Sequence, residues 1–226
     1  MKKTELTRLL EKSGKRYTEL LEINADTGND TELFKWFLAA VLFGAPITET
    51  SVIKTYKTFK KHHVLTPQKI IETGWDELVK ILDEGSYTRY DYKTADKLLL
   101  VTGNLIKNYD GSLNRLHQQA SDPADLENRL KQLGKGIGDI TVSIFLRELR
   151  GIWTKADPKP TPLIITAAKN LGIIKNDDPQ KALNALKTYW KKHAVKGKSF
   201  INFETALLRY GREQRRKNNA ETETSD

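Results

Sequence analysis

The 226-residue chain contains no cysteine. That absence excludes disulfides, thiolate zinc sites, iron–sulfur clusters and a cysteine nucleophile, and several enzyme classes with them. Long apolar runs are missing as well. No stretch approaches the roughly 20 residues that cross a bilayer, and Met1-Lys2-Lys3 leads into a polar segment, not a secretory core. The expected setting is cytoplasmic, nucleoid-associated in a prokaryote, with no membrane partner. Four histidines, His62, His63, His117 and His193, show no HExxH or ligand-like spacing. Neither a G-x-x-x-x-G-K-[ST] phosphate loop nor a G-x-S-x-G elbow occurs. No metal site is expected, and no β-hairpin or βαβ pattern is present.

What is present fits a folded chain of one or two domains, with 38% hydrophobic and 30% charged residues. A net charge of +9 favours a polyanionic partner. Helical periodicity dominates, over segments near 3–22, 32–43, 50–62, 74–82, 93–108, 123–133, 139–149, 162–171, 179–192 and 200–215. Asp122-Pro123 and Thr161-Pro162 read as helix starts, with Asp or Thr as N-cap and Pro at the first helical position. Beyond Arg215-Arg216-Lys217 all apolar content is lost, which predicts a frayed tail.

The segment that carries most information is Leu133-Gly134-Lys135-Gly136-Ile137-Gly138-Asp139-Ile140-Thr141. Leu126, Leu130 and Leu133 lead in at helical spacing, and Ile140, Ile144, Phe145 and Leu149 lead out on one apolar side. Gly136 and Gly138 permit positive φ and leave no Cβ in the way of a phosphate approaching backbone N–H groups at the second helix start. Lys135 adds a full charge. A grip of this kind reads the DNA backbone, not the bases. The plainer alternative is a tight corner between two helices.

Four segments, in order, resemble the helix-hairpin-helix DNA glycosylases related to endonuclease III, the HhH-GPD superfamily. Phe37-Leu38-Ala39-Ala40-Val41-Leu42 is similar to the buried helix that opens the family's helical barrel, with Val52 to Phe59 as the next. Gly85-Ser86-Tyr87 and Thr94-Ala95-Asp96-Lys97-Leu98-Leu99 resemble the glycine–aromatic turn and the K-A-x-x-L helix, closed by Tyr109-Asp110-Gly111. Gly136-Ile137-Gly138-Asp139-Ile140-Thr141 is similar to G-V-G-x-K-T, and Leu207-Leu208-Arg209-Tyr210-Gly211-Arg212 to the final helix.

The resemblance spans roughly residues 30–215 and implies a mostly α, DNA glycosylase-like fold of two helical lobes with a helix-hairpin-helix motif. On this reading residues 1–29 form an N-terminal helix packing with the C-terminal lobe. Residues 30–150 form the barrel lobe, ending in the helix-hairpin-helix at about 123–149. Residues 151–215 form the C-terminal lobe and 216–226 a flexible polar tail. The implied partner is double-stranded, damaged DNA, bound by a monomer through Gly134, Lys135, Gly136, Ile137, Gly138 and Thr141, with the target base turned out of the stack. The implied activity is base-excision repair by N-glycosidic hydrolysis.

Such hydrolysis needs a carboxylate beside a sugar that gains positive charge in the transition state. Two registers compete for it. Alignment on Asn170-Leu171-Gly172 places the family's aspartate at Thr161, which has no carboxylate. Distance from the hairpin places it near Asp157, the one acid in the loop from Trp153 to Leu163. An Asp-Pro turn opener with no further role is the alternative for Asp157.

Three departures from the family narrow the expectation. Ile140 stands where bifunctional members carry the lysine nucleophile, so no appreciable lyase step is expected. Gly44-Ala45-Pro46 replaces the glutamine that fills the gap left by a flipped base. Gly211-Arg212 leads to Glu213-Gln214-Arg215 without the four cluster cysteines, so the expected cofactor is none, although the resemblance allows a monovalent cation at the hairpin. Tyr87, Tyr90, Tyr92 and Trp153 are candidates for a base pocket, with core packing as the alternative. Lys54, Lys57, Lys60 and Lys61 offer either a phosphate-tracking face or a solvated one. A catalytically inactive DNA-binding member of the same fold remains the second functional reading.

Overall fold

The computed structural model describes the backbone of residues 1–223 and side chains through residue 219. Among these residues the chain is mostly helical and has no strand, only an isolated bridge between Arg150 and Trp153. No helix is long and apolar enough to cross a membrane. The chain forms two compact units, one from residues 18–158 and one from residues 1–17 together with the chain from Lys159 onward.

The unit of residues 18–158 begins within α2 (Tyr17–Leu20) and continues through α3 (Asp30–Phe43), α4 (Glu49–Lys61), α5 (Pro67–Glu84) and α6 (Asp91–Tyr109). It then runs through α7 (Leu113–Gln119), α8 (Pro123–Gln132) and α9 (Asp139–Glu148). Its centre is α3, where every residue from Trp36 to Phe43 is buried, as expected of a helix apolar on all sides. Trp36 Nε1 donates to the Phe145 carbonyl at 3.0 Å, and Phe37 meets Phe145 edge-on at 5.2 Å, fixing α3 against α9. Starts are set by local chemistry: Asn29, Thr48, Thr66, Ser112 and Asp122 each accept a hydrogen bond from the backbone N–H three residues on.

The other unit packs α1 (Lys3–Ser13) against α12 (Phe200–Glu223), with α10 (Pro162–Asn170) and α11 (Pro179–His193) alongside. The free carbonyls at the end of α1 are claimed by α12: Asn202 Nδ2 donates to Gly14 O and Arg209 to Ser13 O. Gly211 lets α12 approach α10 closely, since a Cβ there would lie 3.0 Å from Leu163.

Several boundaries differ from those read in the sequence. The segment 3–22 breaks at Gly14, where a Cβ would stand 2.6 Å from Leu10 O. Helix α7 has only seven residues, too short to show a period, and α5 starts at Pro67 but is kinked at Gly74 (φ +70°), which hid its first half. The two compact units meet in the chain at residues 17/18 and 158/159. Over the expected tail, 216–226, the backbone of α12 continues to Glu223, with Arg216, Lys217, Ala220 and Glu221 good helix formers in that stretch. Residues 224–226 of that tail lie outside the described residues.

Candidate nucleic-acid interface

The glycine segment joins α8 to α9 by a short turn seated on α6. Asn104 of α6 donates to Leu133 O at 2.8 Å, and a Cβ on Gly134 would lie 2.8 Å from Val101 and 3.2 Å from Leu100. Gly134 is glycine, then, because α6 comes so near. Gly136 has φ +94°, and its absent side chain leaves room for Lys97, whose Cε lies 2.6 Å from where a Cβ would be. Gly138 differs from the expectation: its φ of −104° is open to any residue, and nothing lies within 4 Å of an added Cβ. It is the N-cap of α9, and it offers no side chain to cap it.

The consequence is a bare helix start. The first helical bond into this turn is Val142 N–H to Gly138 O, and among the described residues nothing accepts from the N–H groups of Asp139, Ile140 or Thr141. Those donors and the positive end of the helix dipole suit an anion. Lys135 is exposed beside them. Lys97 reaches the same turn, and burial pushes its ammonium pKa below the usual lysine range. Lys97 carried no signal in the spacing of the sequence; only the packing of the turn on α6 brings it here. Asp139 in the first turn of α9 is held by Lys131 at 2.5 Å.

The six hairpin residues singled out from the sequence separate by exposure. Lys135, Gly136 and Gly138 face solvent, Gly134 is half-buried, and the side chains of Ile137 and Thr141 are buried. Thr141 packs under the end of α3, its Oγ1 only 2.1 Å from where a Cβ on Gly44 would stand. Ile140, 100° round the helix from Thr141, is 64% exposed and does not join the apolar side of Ile144 and Phe145. Two turn carbonyls are engaged: Leu133 O by Asn104, and Gly134 O by Ile137 N–H at 3.2 Å. A monovalent cation at this turn would share oxygens already bonded. Among the described residues no group of three or more His, Asp or Glu is placed to hold a metal.

No family model, curated protein or solved structure matches this chain.

The four candidate pocket rings are not brought together. Tyr87 is fully buried and donates its hydroxyl to Leu42 O at 2.6 Å, closing the end of α3, and burial pushes its phenol pKa up. Trp153 is buried too: it stacks on His117 at 4.6 Å, meets Phe145 edge-on, and donates Nε1 to Asn114 at 2.9 Å. Tyr90 is half-buried against Tyr87 with Arg89 over its ring, and Tyr92 is exposed beside Trp75 at 5.3 Å. Two rings are core, Tyr90 packs on one of them, and Tyr92 turns to Trp75.

Asp157 is exposed in the loop after α9, and its carboxylate is engaged by Arg150. Arg150 is itself buried along its side chain and also donates to Pro158 O, so the pair ties the loop from 150 to 158 into a fixed path. Thr161 occupies the N-cap position of α10 with Pro162 following, but its hydroxyl makes no capping bond and is buried without a hydrogen-bond partner. The basic face of α4 is largely engaged: Lys60 pairs with Glu22, Lys61 with Glu84, and Lys54 donates to Ser86.

Proposed function

We propose that this chain is a monomeric helix-hairpin-helix protein that grips the phosphate backbone of duplex DNA at the turn between α8 and α9. The observation that carries the reading is the uncapped start of α9. Six other helices carry a side-chain N-cap and α6 and α10 lack one; at α9 Gly138 supplies none and leaves three N–H donors beside Lys135 and Lys97. Within this reading Asp157 is the carboxylate for base excision. Arg150 holds its carboxylate, and the role proposed for Asp157 is to stabilise positive charge on a sugar or to direct water at it. No amine replaces the isoleucine at position 140, so hydrolysis stops at the abasic site without strand cleavage.

A second reading, DNA binding without excision, is favoured by one specific observation: Tyr87 and Trp153, two of the four candidate pocket rings, serve the core. One experiment addresses both. Duplexes carrying deaminated, oxidised or alkylated bases are incubated with the wild type, Asp157→Asn and Gly136→Val, and both binding and abasic sites are measured. Excision predicts abasic sites with the wild type and none with Asp157→Asn at equal DNA affinity. Binding alone predicts none with either. A Gly136→Val protein that binds duplex as the wild type does sinks both readings.

A further inference from the structure

The longest stretch without a carboxylate lies far from the glycine turn in sequence. From Pro179 to Phe203 there is no Asp or Glu, and the same stretch holds six lysines. Four of them, Lys181, Lys187, Lys191 and Lys192, fall on one side of α11, opposite the buried Ala182, Leu183 and Leu186. At 100° per residue that side is completed by Asn184 and Thr188, both exposed, so it is polar throughout. Lys196 and Lys198 continue it through the turn at Gly197. The row from Lys181 to Lys192 covers about 16 Å of helix.

Ordinary helix chemistry accounts for part of this pattern only. Lys191 and Lys192 lie in the last turn, where cations complement the dipole. Lys181 lies in the first turn, where a cation is opposed by the dipole, and Lys196 and Lys198 lie beyond the helix. Asp177 pairs with Lys169 at 2.7 Å and Asp178 caps α11 through the Lys181 N–H at 2.8 Å; Lys187 has an interaction of its own, so the surface is carried by Lys181, Lys191, Lys192, Lys196 and Lys198.

We propose that the exposed side of α11 and the turn after it form a second polyanion-binding surface, which takes the phosphate backbone of a nucleic acid. Linear spacing of cations with Asn and Thr donors between them suits a regular array of phosphate oxygens. A lipid surface would call for apolar residues on the same side, and α11 presents none there. The inference does not rest on the glycine turn, which belongs to the other unit.

The test is titration of a labelled, lesion-free 20-base-pair duplex with the full chain at several salt concentrations. The variant is Lys191→Gln/Lys192→Gln/Lys196→Gln. Each lost phosphate contact flattens the slope of log affinity against log salt by about 0.9, so the triple variant should flatten it by roughly 2–3 and bind on the order of tenfold more weakly at low salt. The matching Lys→Arg variant should bind as the wild type. If the triple variant melts early, the three single variants carry the test, each flattening the slope by about 0.9.

Unchanged slope and affinity in a folded variant overturn the proposal, as does a wild type that does not bind duplex. So do vesicles of phosphatidylserine and phosphatidylcholine that bind more tightly than duplex and lose binding in the variant. Loss of binding in Gly136→Val alone overturns the α11 surface and leaves the glycine-turn reading standing. Loss in the lysine variant alone does the reverse.

Discussion

Gly136→Ala and Gly138→Ala separate two uses of glycine that lie two residues apart. At Gly136 the backbone sits at φ +94°, and a methyl group would lie 2.6 Å from Lys97 Cε. Strain of this kind costs about 1–3 kcal/mol. The lysine can swing aside, and losing a glycine from the unfolded chain returns about 0.4–1 kcal/mol. The net expectation is a loss of about 1–2 kcal/mol, or a melting point lower by about 2–8 °C for a chain of this length. At Gly138 the backbone is ordinary (φ −104°, ψ −176°) and the space is open, so alanine should be neutral or stabilising by up to about 1 kcal/mol.

Binding should follow the opposite order of concern. The Gly138→Ala methyl stands in solvent at the start of α9, where an incoming phosphate oxygen must approach. A lost charge-assisted hydrogen bond is worth about 1.5 kcal/mol, so duplex affinity should fall about tenfold in a protein that melts no earlier than the wild type. Thermal melting and fluorescence anisotropy on the same samples read both quantities. A Gly138→Ala protein that melts lower refutes the backbone argument, and one that binds as tightly as the wild type refutes the phosphate approach.

Other substitutions probe the supporting structure. Gly44→Ala places a methyl 2.1 Å from Thr141 Oγ1 and should cost about 1–3 kcal/mol; adding Thr141→Ala should recover most of it, and additive effects in urea denaturation would count against the contact. Arg150→Ala loses a buried side chain and two acceptors and should cost about 2 kcal/mol, whereas Asp157→Asn, at a side chain 42% exposed, should cost about 1 kcal/mol or less; the reverse order in urea denaturation would overturn that account of the loop. Burial first, and Lys155 second, lower the pKa of His117 below the ordinary histidine value of 6.5. The unfolded state therefore takes up the proton first, so stability is full above pH 6.5 and falls as the pH drops below it. His117→Gln should flatten that limb, read through the fluorescence of the stacked Trp153, and an unchanged pH profile would exclude His117 as its source.

Local chemistry made much of the secondary structure legible. The all-helical pattern, the Asp122 cap and the buried run from Phe37 to Leu42 follow from periodicity and capping, which act over a few residues. The glycine turn was legible as a turn, and its exposed members as candidates. What could not be read was set by residues distant in the chain. Thr141 is buried because α3 ends against it, Gly134 is small because α6 crosses it, and Lys97 joins the turn from another helix. The aromatic segment left base pocket and core packing both open for the same reason: nothing near Tyr87 in sequence reveals that its hydroxyl closes Leu42. Asp157 stood out as a lone acid, yet the arginine that orients it was invisible as a partner until the loop folded back.

The discontinuous unit bears on how this protein is made. Helix α1 leaves the ribosome early with Leu6 and Leu10 uncovered, and the α12 residues that bury them arrive only after residues 18–158 have been synthesised. At roughly 5–20 residues per second that wait is on the order of ten seconds, far longer than helix or hairpin formation. During it the internal unit can complete its own core around α3. Pairing of α12 with α1 then follows, and a nascent chain stalled before α12 would present an amphipathic helix to chaperones.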